Sequence, residues 1–284
     1  MTHELTETFS HNGIEAGMTV HVPDGTPRSC VLYLHGGGLL YGERDDLPRS
    51  YIEMFLTHGH ALVCADYPLA PEMPLRGIHA FVDALWSLTS AELAPRLGTE
   101  RVFIFGRSAG AYLALTLSAR ICGHGDAQRP EGVIDFYGYD DASDPALAGI
   151  SEHYRSFPLV SRDNVQTIIG VEPVTSGPMA KRYALYVYAR QQGAWNELLG
   201  TDAEESEAYA ISDAQASAMP PVFYAASTDD QDVPYAVSKK LARRLRARMV
   251  TLYGLEHDFD RDATNPAGRD AYEKLLAWMD GILD

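Results

Sequence analysis

An α/β fold, with a mainly parallel sheet doubly wound by helices, is the class this sequence predicts. Three observations carry the prediction. Short apolar runs of strand length alternate with longer amphipathic runs at helical spacing. Two of the strand-like runs pass directly into glycine-rich turns. A chain of 284 residues, 46% hydrophobic and 22% charged, can bury a sizeable core without disulfides or metals. That length accommodates one large α/β domain or two small ones.

Taken in order, residues 17–22 read as an early strand. Residues 31–34 form a buried strand that runs into His35-Gly36-Gly37-Gly38. Residues 61–65 form the next, followed by Asp66-Tyr67-Pro68. Ile78, Phe81, Val82, Leu85 and Trp86 then share one helix face. A strand over 101–105 ends in Gly106-Arg107-Ser108-Ala109-Gly110, and a strongly apolar helix over 112–121 follows. Strands over 132–137, 222–226 and 249–253 alternate with helices over 237–245 and 270–283. The stretch 140–219 breaks this rhythm and is too long for an ordinary connection. It holds helix-like pieces at 161–169, 179–192 and 194–199 and the aromatics Tyr154, Phe157, Tyr183, Tyr186, Tyr188 and Trp195. The expectation is a single domain over 1–284 with 140–219 folded over the C-terminal edge of the sheet; a separate small domain is the alternative.

Composition removes several classes of function. A formal net charge of −16 repels phosphate backbones and anionic lipid, so neither nucleic acid nor a membrane surface is an expected partner. No run of about 18 apolar residues occurs, and residues 1–8 lack the basic and apolar regions of a signal peptide. Cys30, Cys64 and Cys122 are odd in number and irregularly spaced. They read as small buried hydrophobes in a reducing compartment, which makes the expected location cytoplasmic.

The chemistry lies in the turns. Ser108 sits in a G-x-S-x-G pattern between a strand and a helix, where a sharp turn exposes the hydroxyl above the sheet edge and the helix N-terminus favours nearby negative charge. Three glycines after His35 suit a backbone that presents N–H groups to a ligand. In acyl transfer such donors stabilise the oxyanion, which assigns Gly37, Gly38 and Ala109. A dinucleotide loop is the competing reading of Gly36-Gly37-Gly38. Its spacing departs from G-x-G-x-x-G, and Glu43 to Asp46 begin no apolar helix. His35 is read as a support for the glycine loop, and His58 and His60 as parts of a solvated turn.

On an α/β-hydrolase fold the serine is followed by an acid and then a histidine. His257, just after the last strand, is the general-base candidate. The acid belongs after the strand at 222–226, where Asp229, Asp230 and Asp232 compete. Asp232 precedes Val233-Pro234 and a helix, so its default role is an N-cap. Position alone leaves Asp229 and Asp230 open. A calcium loop lacks its characteristic glycine and distal glutamate here, and no metal or organic cofactor is expected.

The motifs His35-Gly-Gly-Gly, Asp66-Tyr-Pro-Leu-Ala-Pro-Glu72, Gly106-Arg-Ser-Ala-Gly110 and His257-Asp-Phe259 together resemble those of the hormone-sensitive-lipase-like carboxylesterases. The likeness covers roughly residues 29–138 and 219–283. It implies a Ser-His-Asp esterase acting on small-acyl esters. Small-amide hydrolysis, peptidase action and a non-catalytic receptor remain the alternatives, and a homodimer is left open. The family's D-x-x-V-P pattern, matched by Asp230 to Pro234, selects Asp230 and leaves Asp229 as a turn residue. Two departures stand out. Only about 28 residues precede the first glycine-linked strand, where the family often places part of its helical cap. Arg107 stands where members often carry Asp, Glu or His.

Overall fold

The computed structural model describes residues 3–123, 128–202 and 208–284. An eight-stranded sheet runs through it in the order β1-β2-β4-β3-β5-β6-β7-β8. The strands are β1 His3–His11, β2 Ile14–Val22, β3 Ser29–Leu34, β4 His60–Ala65, β5 Val102–Arg107, β6 Gly132–Phe136, β7 Val222–Ser227 and β8 Arg248–Leu252. From β4 to β8 every pairing is parallel. The parallel part is therefore the crossover sheet that the strand–helix alternation predicts.

Why the sheet is buried on both faces is visible in the side-chain period. Val31 and Tyr33 of β3, and Phe103 and Phe105 of β5, pack into one core with Tyr51, Phe55, Tyr272 and Leu275. Leu32 and Leu34, and Val102 and Ile104, point the other way into a second core with Phe81, Val82, Tyr112 and Leu113. Successive strand residues alternate faces, so a continuous apolar run feeds two cores. Helices α1 Arg49–Thr57 and α6 Pro266–Leu283 cover the first core. Helices α2 Leu75–Leu88, α3 Ala109–Gly123 and α5 Tyr235–Arg244 cover the second. Cys30, Cys64 and Cys122 are free and buried in these layers.

The structure corrects several expectations. The early strand is the second arm of a β1–β2 hairpin, turned at Asn12 and Gly13 with both φ positive. Asn-Gly is the strongest local hairpin signal, and it was present to be read. Helix α1 was not expected. His58 closes that helix in an exposed position, whereas His60 is buried at the start of β4 with its ring on the Ser29 hydroxyl at 2.9 Å. Within 140–219 the longest described helix is α4 Met179–Gln192, at the expected bounds. Among the described residues no helix is long and apolar enough to cross a membrane.

Candidate active site

Ser108 stands alone between the last residue of β5 and the first of α3, at φ +53°. A serine rarely holds that left-handed conformation unless its surroundings impose it. Here its N–H donates to the Phe136 carbonyl at 2.9 Å, while its own carbonyl accepts from Ala111 and Tyr112 at 2.9 and 3.1 Å. The flanking glycines are needed for close approach. A Cβ on Gly106 would strike the Gly110 backbone, and one on Gly110 would strike the carbonyls of Leu34 and His35. Packing the helix start against the ends of two strands thus leaves the Ser108 hydroxyl as the group that projects.

His257 lies in the loop after β8, and its Nε2 is 2.8 Å from the Ser108 Oγ. Its Nδ1 is 2.8 Å from Asp230 Oδ2, in the loop after β7. The Asp230 side chain is fully buried. Its other oxygen accepts the N–H groups of Asp232 and Val233, both at 2.8 Å, which fixes the carboxylate plane. Burial disfavours the charged imidazolium of His257. The carboxylates of Asp230 and Asp232 and the Asp230 hydrogen bond outweigh that effect, and its pKa is pushed up to about 9.

The structure therefore brings together Ser108, His257 and Asp230, and not Asp229, which sits exposed at the turn with the Thr228 hydroxyl on its carboxylate. Asp232 is no helix cap. Helix α5 begins at Tyr235 after Pro234, without a side-chain cap. The Asp232 carboxylate turns the other way and accepts the hydroxyls of Tyr154 at 2.8 Å and Tyr186 at 2.6 Å. Both tyrosines come from a segment remote in sequence, which no local capping rule anticipates.

Beside the serine, Gly37 and Gly38 adopt φ of +110° and +62°. Among the described residues their N–H groups meet no acceptor, and Ala109, as the first residue of α3, has none within its helix. His35 underlies this loop. Its ring stacks on Tyr67 with centroids 4.2 Å apart, and the Tyr67 hydroxyl donates to the His35 carbonyl at 2.8 Å.

Arg107 gains an explanation that the sequence did not supply. It is buried, with Nε donating to the Tyr137 hydroxyl at 2.7 Å and Nη2 to Asp260 Oδ1 at 2.8 Å. The Tyr137 and Tyr272 hydroxyls also donate to Asp260, each at 2.7 Å. Arg107 reaches Asp46 as well, at 3.3 Å. One buried ion pair with its hydrogen bonds thus ties the residue before Ser108 to the loop that carries His257, and Tyr137 lies 4.7 Å from the His257 ring. Asp260 was the missed member. It is 153 residues from Arg107, so only the unusual basic residue before the serine signalled that an acid had to exist.

The segment 140–219 reaches the site through side chains. Arg182 of α4 makes a two-pronged ion pair with Glu72, at 2.9 and 2.7 Å, and also donates to the carbonyls of Leu40 and Ala70, both at 2.7 Å. Burial raises the Glu72 pKa, but the Arg182 hydrogen bonds and the Gly170 N–H bring it below the usual carboxylate range. The Trp195 indole donates to the Gly38 carbonyl at 3.1 Å, and a Cβ on Gly38 would run into the Tyr186 ring. The result is a cleft of about 910 Å³ in which Ser108 and His257 face Tyr41, Tyr154, Tyr183 and Tyr186.

A hydroxyl, an imidazole and a carboxylate in one hydrogen-bonded row, with unoccupied N–H groups beside the hydroxyl, can carry out acyl transfer. Asp230, Asp232 and His257 are also spaced as metal ligands could be. Both Asp230 oxygens and both His257 ring nitrogens are already engaged in hydrogen bonds.

A family model described as the alpha/beta hydrolase fold matches residues 31–260. The chain belongs to the α/β-hydrolase family. A solved α/β-hydrolase superfamily protein from Enterococcus faecalis superposes with a TM-score of 0.81 at 30% identity, covering 96% of this chain and 98% of that one. Carboxyl esterase 2 from Tuber melanosporum superposes at 0.72 with 18% identity, over 100% of this α/β hydrolase and 87% of the esterase, a likeness of fold. Among curated proteins, the non-reducing polyketide synthase adrD of Penicillium rubens is 32% identical over 162 residues. That match spans 50% of this hydrolase and only 6% of the synthase.

Proposed function

We propose that this hydrolase cleaves carboxylic esters of small acyl groups through an acyl-enzyme on Ser108. The observation that carries the reading is the pair of 2.8 Å contacts by which His257 bridges Ser108 and Asp230. His257 takes the serine proton as the hydroxyl attacks the ester carbonyl. Asp230 holds the tautomer and stabilises the imidazolium that forms. The N–H groups of Gly37, Gly38 and Ala109 receive the oxyanion. The imidazolium then protonates the departing alcohol, and water repeats the sequence to release the acid. No cofactor enters any step. The segment 140–219 acts as a cap whose tyrosines shape the substrate cavity.

One observation favours a wider substrate range. At Phe157, Met179 and Tyr183 the cleft meets an apolar groove of about 760 Å³, continued by Pro158, Val160, Ala180, Ala184 and Val187. An extended apolar arm on the ester has a place to lie there. A fluorophosphonate probe and a series of p-nitrophenyl esters of increasing acyl length, with matching anilides, test both readings. Labelling at Ser108 and hydrolysis of the acetate are expected, with anilides turned over far more slowly. An unlabelled serine would remove the hydrolase reading. A sharp fall in kcat/KM beyond the shortest acyl chains would remove the groove from it.

A further inference from the structure

Asp232 is left over once the Ser108, His257 and Asp230 row has been described. It is well shielded, yet it is joined to both halves of the site. Toward the acid loop, its N–H donates to Asp230, and its carboxylate lies within 4.8 Å of the Asp230 and His257 ligand atoms. Toward the segment 140–219, it accepts the Tyr154 and Tyr186 hydroxyls, and Arg190 approaches it at 3.7 Å. Arg190 also reaches the Asp232 carbonyl at 3.4 Å and stacks over the Tyr154, Tyr186 and Trp195 rings. Three side chains from one segment thus converge on a residue whose neighbour two positions earlier orients the histidine.

We propose that Asp232 is a positioning residue of this site: held by Tyr154, Tyr186 and Arg190, it fastens the covering segment to the Asp230 loop and places a second negative charge beside His257. The inference rests on the hydrolase reading of Ser108 but concerns a different property, the charge state of the base. Two anions beside one imidazole, Asp230 hydrogen-bonded to it at 2.8 Å and Asp232 within 4.8 Å, favour its protonated form. Desolvation opposes the charge on Asp232, but His257, the Tyr186 and Tyr154 hydroxyls and the Arg190 guanidinium together favour its ionised form. The groups that face His257 are Asp230, Asp232 and Asp258, the Tyr137 ring and Ser108. Those that face Asp232 are His257, Tyr154, Tyr186 and Arg190, with Tyr41, Tyr139 and Tyr183 beyond them. Seating of the covering segment and basicity of the histidine are therefore linked through one carboxylate.

The test is an NMR titration of the His257 imidazole, assigned by its absence in His257→Ala. Asp232→Asn keeps the shape and an acceptor for both tyrosines while removing the charge, and it should lower the His257 titration midpoint by about one pH unit. Asp232→Glu should return it toward the wild-type value. Arg190→Met removes the cation that offsets Asp232 and should move the midpoint upward. Opposite shifts in the two variants support the proposal even if one of them is less stable. An unmoved midpoint in Asp232→Asn, with a lower melting temperature, would reduce Asp232 to a mechanical clamp and overturn it. The readout needs no substrate, so failure of the Ser108 reading would appear separately, as absent fluorophosphonate labelling with the titration shifts intact.

Discussion

The two walls of the cleft are built on different principles. On the sheet side, Ser108 is placed by backbone: a left-handed φ, a carbonyl partner on β6, and glycines at 106 and 110 that allow contact no other residue would permit. On the covering side, the segment 140–219 is placed by charged and aromatic side chains: Arg182 on Glu72, Trp195 on Gly38, and Tyr154, Tyr186 and Arg190 around Asp232. Backbone placement rests on main-chain contacts between the Ser108 turn and the ends of β3 and β6. Side-chain placement spans as many as 157 residues and depends on buried charge. Substitutions in the two walls should therefore break this protein in different ways.

The largest effect belongs to the sheet wall. Ser108→Ala should abolish ester hydrolysis, on the order of 10⁶-fold in kcat by comparison with a serine-protease triad, with an unchanged circular dichroism spectrum. Adding His257→Ala should cost little more, because the row acts as a unit; multiplicative losses in a single- and double-mutant comparison would speak against that unit. Asp230→Asn should lose roughly 10⁴ in kcat through the wrong histidine tautomer, with little change in melting.

The next effect is one of pH. The neutral imidazole is the form that accepts the serine proton, and the carboxylates around His257 raise its pKa to about 9. The sign follows directly: kcat/KM should rise with pH until the imidazolium is lost, with the rate at neutrality about one hundredth of the plateau. An acid limb at the ordinary histidine value of 6.5 in a pH–rate profile would mean that the surrounding carboxylates do not act on the free enzyme.

Matched substitutions of buried arginines separate the walls. Arg182→Met strands Glu72, and Arg107→Met strands Asp260. Breaking such a pair from one side costs about 3–5 kcal/mol. Arg107→Met should melt sheet and activity together, since Arg107 links β5 to the loop carrying His257. Arg182→Met should lose hydrolysis at a lower temperature than the far-ultraviolet signal, since the covering segment loosens while the sheet stands. Coincident loss in both variants would mean that the two walls form one cooperative unit.

The same division explains what could be read from the sequence. The parallel sheet, the Ser108 turn, the glycine loop and His257 were legible because each is announced within a few residues: a strand, a turn and a helix in order. Asp230 was legible only through the resemblance, since position alone did not separate it from Asp229. The role given to Asp232 was wrong because a local capping rule fitted the sequence better than partners 46 and 78 residues away could be foreseen. Asp66 and Glu72, recognised as part of a motif, turn out to be joints. Asp66 takes the Arg44 guanidinium beside the second strand, and Glu72 takes Arg182.

The smallest expected effect falls on Asp229, and it discriminates most finely. Asp229 and Asp230 are adjacent and chemically identical, and both follow the same strand. Only the turn separates them: Asp230 is directed inward, where two backbone N–H groups and His257 saturate its oxygens. Asp229 is directed outward, and among the described residues its carboxylate meets only the neighbouring Thr228 hydroxyl, at 3.2 Å. Asp229→Asn preserves that acceptor and removes an exposed charge that no ion pair among the described residues uses. It should therefore change stability by no more than about 0.5 kcal/mol and leave turnover near wild type. Activity and melting measured side by side on Asp229→Asn and Asp230→Asn make the contrast quantitative. Near-wild-type turnover in Asp230→Asn with a collapse in Asp229→Asn would require the turn to be rebuilt by one residue. Ser108 and His257 would keep their places, because the elbow after β5 and the loop after β8 are fixed independently of that turn.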